Sequence, residues 1–348
     1  MPTLEDRLVQ LARETSHSSA AFEVTKLAGQ ASSRMYYRLM GAETAYVAMV
    51  LPPDATKSDE ATSGSAPTEL PFLNVHRYLA RAGVPVPAVH TAALDQGVLL
   101  LEDLGDTTLE LALKVRSPRD LYGNAIDVLA DLRAKAEAHP DESCIAFGRS
   151  FDRALYRWEL EHYLEYGLTA RTGSAPTPAE AAVLNKAFDS IADALAALPR
   201  GFTHRDYQSR NLMMAPRGLV VIDFQDALLG PRQYDLVALL RDSYVELADD
   251  VIDEMLARYL ERFRAHSKSP SGQMDEGAFR KTFDLLTVQR KLKDGGRFEF
   301  IARVKGNPDF LPHVPASFRY VARALERLPE YGELLAVLRN RHPELTKR

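Results

Sequence analysis

Residues 203–226 contain Thr203-His-Arg-Asp-Tyr-Gln-Ser-Arg-Asn-Leu212 and then Val221-Ile-Asp-Phe-Gln-Asp226. In order, the stretch sets out one carboxylate, Asp206, and two hard-oxygen ligands, Asn211 and Asp223, with a short apolar strand at Gly218–Ile222 before the last of them. A carboxylate beside a hydroxyl can aim it and accept its proton. An amide and a carboxylate following at this spacing suit Mg²⁺ bound together with nucleotide phosphates. This is the layout of phosphoryl transfer from ATP, with Asp206 as base and Asn211 and Asp223 as metal ligands. His204 and Arg205 read as hydrogen-bonding supports of the loop. Any one of these residues alone would serve as a turn or cap; the ordered set carries the reading.

Downstream, Asp226 either assists the metal or caps the turn before Ala227. Asp235 opens a helix after Gly230-Pro231, where a carboxylate suits the helix N-terminus, and it can also hold backbone amides of the catalytic loop. The interval from Asp223 to Asp235 has no room for the long switchable segment that docks a peptide. Gln225 also stands where an Asp-Phe-Gly turn has its flexible glycine. The acceptor is therefore read as a small molecule.

Upstream, Phe22–Leu27, Met35–Met40 and Ala45–Leu51 read as strands. The loop Gly29–Arg34 joins the first two. Ser32, Ser33 and Arg34 either bind nucleotide phosphate oxygens there or belong to a plain hairpin turn, and the position before the strand pair favours phosphate. The third strand, Val47-Ala48-Met49-Val50, has no lysine at its end. Arg34 or Arg38 can neutralise the nucleotide instead, since a guanidinium binds phosphate bidentately. Residues 54–68, rich in Ser, Thr, Ala and Pro, read as a mobile loop. Helical periodicity marks Pro71–Ala82, and two further strands are expected near Ala88–Thr91 and Gly97–Leu101.

After Gly105 the pattern turns helical, over Arg119–Glu137, Phe151–Tyr166, Pro178–Leu198, Tyr234–Tyr244 and Asp250–His266. Strands first and helices afterwards make an α+β chain, with a small sheet lobe at 1–103 and a larger, mostly helical lobe at 104–348. A formal charge of −5, from 43 basic and 48 acidic side chains, builds no field for nucleic acid or an anionic membrane. No apolar run has the length of a membrane span, and the polar N-terminus does not read as a signal peptide. The single cysteine, Cys144, fits a reducing cytoplasm and a small buried residue.

The runs His204–Asn211, Val221–Ala227 and Gly230–Leu236 resemble the aminoglycoside phosphotransferase-like kinase superfamily. Within it, Asp223-Phe-Gln-Asp-Ala227 and Leu239-Leu-Arg-Asp-Ser-Tyr244 are similar to the bacterial anomeric kinases of N-acetylmuramate and N-acetylglucosamine. Ala31–Arg38, Leu99–Gly105 and Gln289–Lys293 support the match. The resemblance implies a protein-kinase-like two-lobed fold. It also implies ATP held by hinge backbone at Leu101, Glu102 and Leu104, and phosphorylation of a sugar at C1 for cell-wall recycling. Kinases of that subgroup also tend to lack the strand-three lysine.

A polycationic acceptor would call for carboxylates. Residues 290–305 instead hold Arg290, Lys291, Lys293, Arg297, Arg303 and Lys305. The run reads either as a solvated helix face or as a basic wall, with Arg290 and Arg303 suited to a neutral or carboxylate-bearing sugar. Trp158, near Tyr156 and Tyr163 on one helix, is either a stacking platform for the sugar or core. Alternatives are a kinase of another small alcohol, such as an aminoglycoside, choline or a homoserine-like acceptor, and a nucleotide-binding pseudokinase scaffold.

Overall fold

The computed structural model describes residues 2–27, 34–52, 69–266 and 275–345. Two compact units emerge: Met1–Thr107 with Met213–Gln225, and Thr108–Leu212 with Asp226–Arg348.

The first unit is built on a five-stranded antiparallel sheet of β1 (Glu23–Lys26), β2 (Met35–Met40), β3 (Ala45–Val50), β4 (Val89–Ala93) and β5 (Val98–Glu102), in the order β1-β2-β3-β5-β4. Helix α1 (Leu4–Ser16) starts at a capping box, in which Thr3 and Asp6 satisfy each other's backbone amides. Its buried Leu8, Leu11 and Ala12 cover the sheet face that carries Tyr37, Leu39, Tyr46, Ala48 and Leu100. Val50 also packs on that face. Met49 pairs across the strands with Tyr36, and because strand side chains alternate it lies on the opposite face. The strand-three residue that shares a face with Tyr36 is therefore Met49, not Val50. A shift of one residue reverses the face.

Helix α2 (Pro71–Arg81) begins with proline at its first turn, where the missing amide costs nothing. Its Phe72 stacks on Phe224, with ring centroids 5.0 Å apart. A two-stranded hairpin, Leu212–Ala215 with Gly218–Val221, packs Met213, Ala215 and Val220 against Leu104. The Met214 amide donates to the Thr107 carbonyl at 2.8 Å, and the Val221 amide to that of Pro85 at 2.7 Å. Arg217 grips the Glu102 carboxylate through two hydrogen bonds of 2.8 Å. These contacts place the hairpin and the following Asp223 turn with the sheet. A single division at residue 103 leaves that turn in the other unit.

The second unit is helical. It contains α3 (Leu109–Ala112), α4 (Pro118–Ala138), α5 (Arg153–His162), α6 (Pro178–Ala196), α7 (Gln233–Leu240), α8 (Asp249–His266), α9 (Glu276–Val304), α10 (Val314–Glu326) and α11 (Gly332–Arg341). The helix expected over Phe151–Tyr166 is α-helical only to His162 and runs on as a π-helical stretch, Tyr163–Ala170. Two short strands, Gly201–Thr203 and Leu228–Gly230, pair antiparallel and lead directly into His204. Buried Arg133 pins them by donating to the carbonyls of Phe202 at 2.7 Å and Gly230 at 3.0 Å. A Cβ at Gly201 would lie 2.7 Å from that guanidinium, so the position needs glycine.

Helix α9 is 29 residues long and buries polar and charged side chains along with apolar ones, among them Asp284, Gln289, Arg290, Lys291, Lys293 and Glu299. In the basic run, Arg290, Lys291 and Lys293 are therefore buried rather than solvated, while Arg303 and Lys305 are exposed. Gly296 of α9 packs against backbone: an added Cβ would meet the Tyr163 Cα at 2.7 Å. Among the described residues no helix is long and apolar enough to cross a membrane.

Candidate active site

In the second unit, two buried carboxylates hold the loop 204–211. Asp235, in the first turn of α7, accepts from the amides of His204 at 2.7 Å and Arg205 at 2.9 Å. Asp242, just past the end of α7, accepts from the Ser209 amide at 2.8 Å and the Ser209 hydroxyl at 2.6 Å. Asp242 was not singled out from the sequence. Helical periodicity does not point to it, since α7 ends at Leu240 and Arg241 already leaves the helix. Burial raises the pKa of both carboxyls, and in each case hydrogen bonds from the loop partly offset the rise. Buried His204 turns Nδ1 to the Asp206 amide at 3.3 Å. Arg205 has left-handed backbone, φ 79°, and its guanidinium faces buried Glu159 at 3.5 Å. Gln289 donates to the other oxygen of Glu159 at 2.6 Å. Left-handed backbone in a bulky residue persists only where the surroundings impose it.

Asp206 itself is partly open, with 29% of its side chain exposed. Arg290 reaches it from α9, donating to Asp206 Oδ1 at 3.1 Å and to the Arg205 carbonyl at 2.6 Å. Arg290 thus braces Asp206 and is itself only 2% exposed, so its side chain is not an open wall. Burial acts to raise the Asp206 pKa. Lys293, Arg290 and Arg205 outweigh it and hold the carboxyl well below the usual carboxylate range. Asn211 donates through Nδ2 to the Asp206 carbonyl at 2.8 Å, which fixes the orientation of its amide.

In the first unit, Asp223 has left-handed backbone, φ 65°, on an exposed turn. Buried Gln225, in the place of a flexible glycine, donates Nε2 to Asp223 Oδ1 at 2.8 Å and so orients the carboxylate. On the sheet face opposite α1, the Tyr36 hydroxyl lies 3.5 Å from Met49 Sδ. It hydrogen-bonds Arg34 and feels the Asp223 carboxylate. Arg38 is committed elsewhere, paired with Asp103 at 2.7 Å and Asp106 at 2.9 Å. Of the two arginines considered for the nucleotide, this leaves Arg34. Glu102 gives its carboxylate to Arg217 and the Ala88 amide. Leu101 is buried in β5, and Leu104 lies in the apolar cluster with Met213. Asp226 belongs to the second unit, where its charge acts on Arg149. Ser32 and Ser33 lie outside the described residues, as does the expected loop 54–68.

Taken singly, the exposed Asp223 carboxylate of the first unit and the Asn211 amide of the second, whose donor end is already engaged, are hard ligands of the kind that Mg²⁺ shares with phosphates. Among the described residues no three His, Cys, Asp or Glu side chains form a metal group; a nucleotide-bound Mg²⁺ does not need one. Tyr156 and Tyr163 are core residues, fully buried. Trp158 points away from them, 41% exposed and stacked on His162 with ring centroids 5.7 Å apart. Two residues along a helix is more than half a turn, so the three aromatics do not share one platform. Arg303 lies 13 residues beyond Arg290, about 20 Å along the helix axis. It lines a separate cavity of about 510 Å³ with Arg171, Glu299, Arg341 and His342. Arg303 and Arg290 thus do not line one acceptor wall.

A model of the phosphotransferase enzyme family matches residues 23–269. The chain is 32% identical over 332 residues to an N-acetylmuramate/N-acetylglucosamine kinase of Pseudomonas putida, covering 95% of this chain and 92% of that protein. It is 33% identical over 320 residues to one of Pseudomonas aeruginosa, covering 91% and 88%. Among solved structures, the choline kinase LicA from Streptococcus pneumoniae superposes with a TM-score of 0.59 at 14% identity, covering 91% of this chain and 99% of that one. That likeness concerns the fold, a small antiparallel sheet with a mostly helical remainder. The chain belongs to the phosphotransferase enzyme family.

Proposed function

We propose that the protein transfers the γ-phosphoryl group of ATP to the anomeric hydroxyl of an amino sugar, N-acetylmuramate or N-acetylglucosamine, giving a sugar 1-phosphate. The observation that carries this reading is the over-braced Asp206, a partly open carboxylate with its loop fixed by Asp235, Asp242 and Arg290. The names of the full-length relatives supply the sugar. The cations Arg290 and Lys293 beside Asp206 argue against a polycationic acceptor.

Asp206 aims the sugar hydroxyl and takes its proton. The sugar oxygen forms a bond to the γ-phosphorus, and the bond from that phosphorus to the bridging oxygen breaks, with its electron pair leaving on ADP. Asn211 and Asp223 would hold Mg²⁺, which when bound neutralises phosphate charge. Gln225 keeps the Asp223 carboxylate aimed. Arg34, held by Tyr36 beside Met49, supplies charge to the nucleotide phosphates in place of a strand-three lysine. The hinge residues Leu101, Glu102 and Leu104 meet the nucleotide through backbone, since the Glu102 carboxylate is already engaged.

The test is an acceptor screen with ATP and Mg²⁺, reading ADP release and locating the new phosphate by NMR. N-acetylmuramate and N-acetylglucosamine should be phosphorylated at C1. A preference for choline or an aminoglycoside would overturn the substrate assignment. ATP·Mg²⁺ binding without turnover of any acceptor would favour a scaffold.

A further inference from the structure

Arg205, the residue before Asp206, is held at three points by three different helices. Its amide donates to Asp235 of α7 at 2.9 Å, its carbonyl accepts from Arg290 of α9 at 2.6 Å, and its guanidinium faces the Glu159 carboxylate of α5 at 3.5 Å. We infer that Glu159 is a positioning residue for phosphoryl transfer, which sets the aim of Asp206 through Arg205 and through α9. The inference rests on the reading of Asp206 as the base.

Glu159 is completely buried, so it touches no substrate, and Arg205 is only 2% exposed. A charge pair taken this far out of water adds little net stability, because desolvation offsets much of the attraction. What the pair provides is geometry. Arg205 is left-handed, φ 79°, and a bulky side chain keeps that conformation only where its surroundings impose it. Relaxation of this φ to the ordinary negative range turns the chain at the Arg205 Cα and swings the following Asp206. The amide and carbonyl contacts lie on either side of that Cα, and the side chain is the third point that fixes it. Its guanidinium is held between Glu159 and the Phe151 ring, whose centroid is 5.9 Å from Cζ. Phe151 in turn packs on buried Tyr156 and Tyr234, with centroids 5.0 Å and 4.3 Å away, so the pair acts in apolar surroundings where its attraction is strong.

The second route runs through α9. The Glu159 oxygen turned away from Arg205 accepts from Gln289 Nε2 at 2.6 Å. The next residue, Arg290, lies with Cζ 4.9 Å from the Tyr234 ring centroid and donates to Asp206 Oδ1 at 3.1 Å. Neighbouring side chains on a helix point about 100° apart, since a turn takes 3.6 residues. The Gln289 contact therefore fixes the rotation of α9 about its axis, and with it the direction from which Arg290 reaches the base. One buried carboxylate thus holds both the backbone before Asp206 and the helix that braces its side chain.

The test is Glu159→Gln, which keeps the size of the side chain and an oxygen for Gln289 but removes the charge that Arg205 faces. On N-acetylglucosamine with ATP and Mg²⁺, kcat per folded molecule should fall by about 100-fold, the loss expected from a misplacement of about 1 Å. Acceptor KM and the calorimetric Kd for ATP·Mg²⁺ should be nearly unchanged, and urea unfolding of the same protein gives the folded fraction. A variant that is less stable but keeps kcat within about threefold of wild type makes Glu159 a merely structural residue and overturns the inference. So does a defect confined to KM. A cycle with Arg205→Gly sharpens the result. Glycine adopts positive φ without strain, so in that background the loop no longer depends on the side-chain hold, and adding Glu159→Gln should lower kcat by less than about threefold. A full second loss there means that the two residues act independently, and it overturns the route through Arg205. If Glu159→Gln does not fold, Gln289→Leu is the second variant: it removes the contact with α9 at similar volume, and kcat should be lower by at least about 10-fold at unchanged KM. Full kcat in that variant is equally fatal. Near-normal turnover in Asp206→Asn would instead overturn the role of the base, and wild-type protein inert toward the sugar would overturn the substrate reading. An inactive Asp206→Asn beside an unaffected Glu159→Gln overturns only the role of Glu159.

Discussion

The base loop in the second unit and the Asp223 turn in the first are both left-handed at one non-glycine residue, but they are held in opposite ways. The Arg205 conformation is enforced from all sides by buried groups: Asp235, Glu159 and the α9 arginine. The Asp223 conformation stands on an exposed turn, with Gln225 as its side-chain brace. A base must keep its aim through the proton transfer, and small misplacements are expensive. A metal-binding carboxylate gains its remaining partners when the ion arrives. Rigidity is therefore concentrated where the structure alone has to provide it.

The strongest way to break this contrast is at the base. Asp206→Asn should lower kcat about 10³-fold while leaving ATP binding, measured calorimetrically, nearly intact; near-normal turnover would remove Asp206 from its role. Next comes stability. Asp235→Ala strips two backbone amides of a buried acceptor and should cost about 3 kcal/mol in urea unfolding. Asp223→Asn should stay within about 0.5 kcal/mol yet raise the Mg²⁺ requirement, because asparagine tolerates left-handed backbone. Equal destabilisation by the two would erase the distinction. A smaller effect is expected at Gln225→Ala: a Mg²⁺ requirement about fivefold higher, equivalent to roughly 1 kcal/mol, with the melting temperature little altered.

A subtler expectation concerns pH. The Asp206 pKa is depressed in the folded protein, so its contribution to stability is present above the unfolded value and is lost as pH falls through the folded one. Asp235 and Asp242 are raised, so theirs is complete below the unfolded value and is lost as pH rises through the folded ones. Asp206→Asn should flatten the acid limb of a stability profile, and Asp235→Asn should flatten the opposing trend above it. Denaturant melts across pH 3–7 distinguish the two, and parallel profiles would contradict the opposed shifts.

Much of this site was legible in the chain because its chemistry is local. His204 to Asp226 lies in one short segment, where spacing alone orders the residues proposed as base and metal ligands. The sheet was legible too, since strands half-covered by α1 alternate. The register of the lysine position was less so: Val50 and Met49 differ by one residue, and only pairing with Tyr36 tells which face each takes. Helix α9 was less legible because Arg290, Lys291 and Lys293 are buried among charged and polar groups, and an apolar stripe does not reveal polar burial.

The amino-acid sequence by itself determined the reaction class, and it put forward Asp206, Asn211 and Asp223 for the base and metal roles, because such roles depend on residue type and short-range spacing. Only the tertiary structure decided what surrounds them. Asp242 and Arg290 come from well outside the loop, and their contacts with it follow from which elements pack together. That packing is a sum over many weak contacts, so no local pattern in the chain announces it.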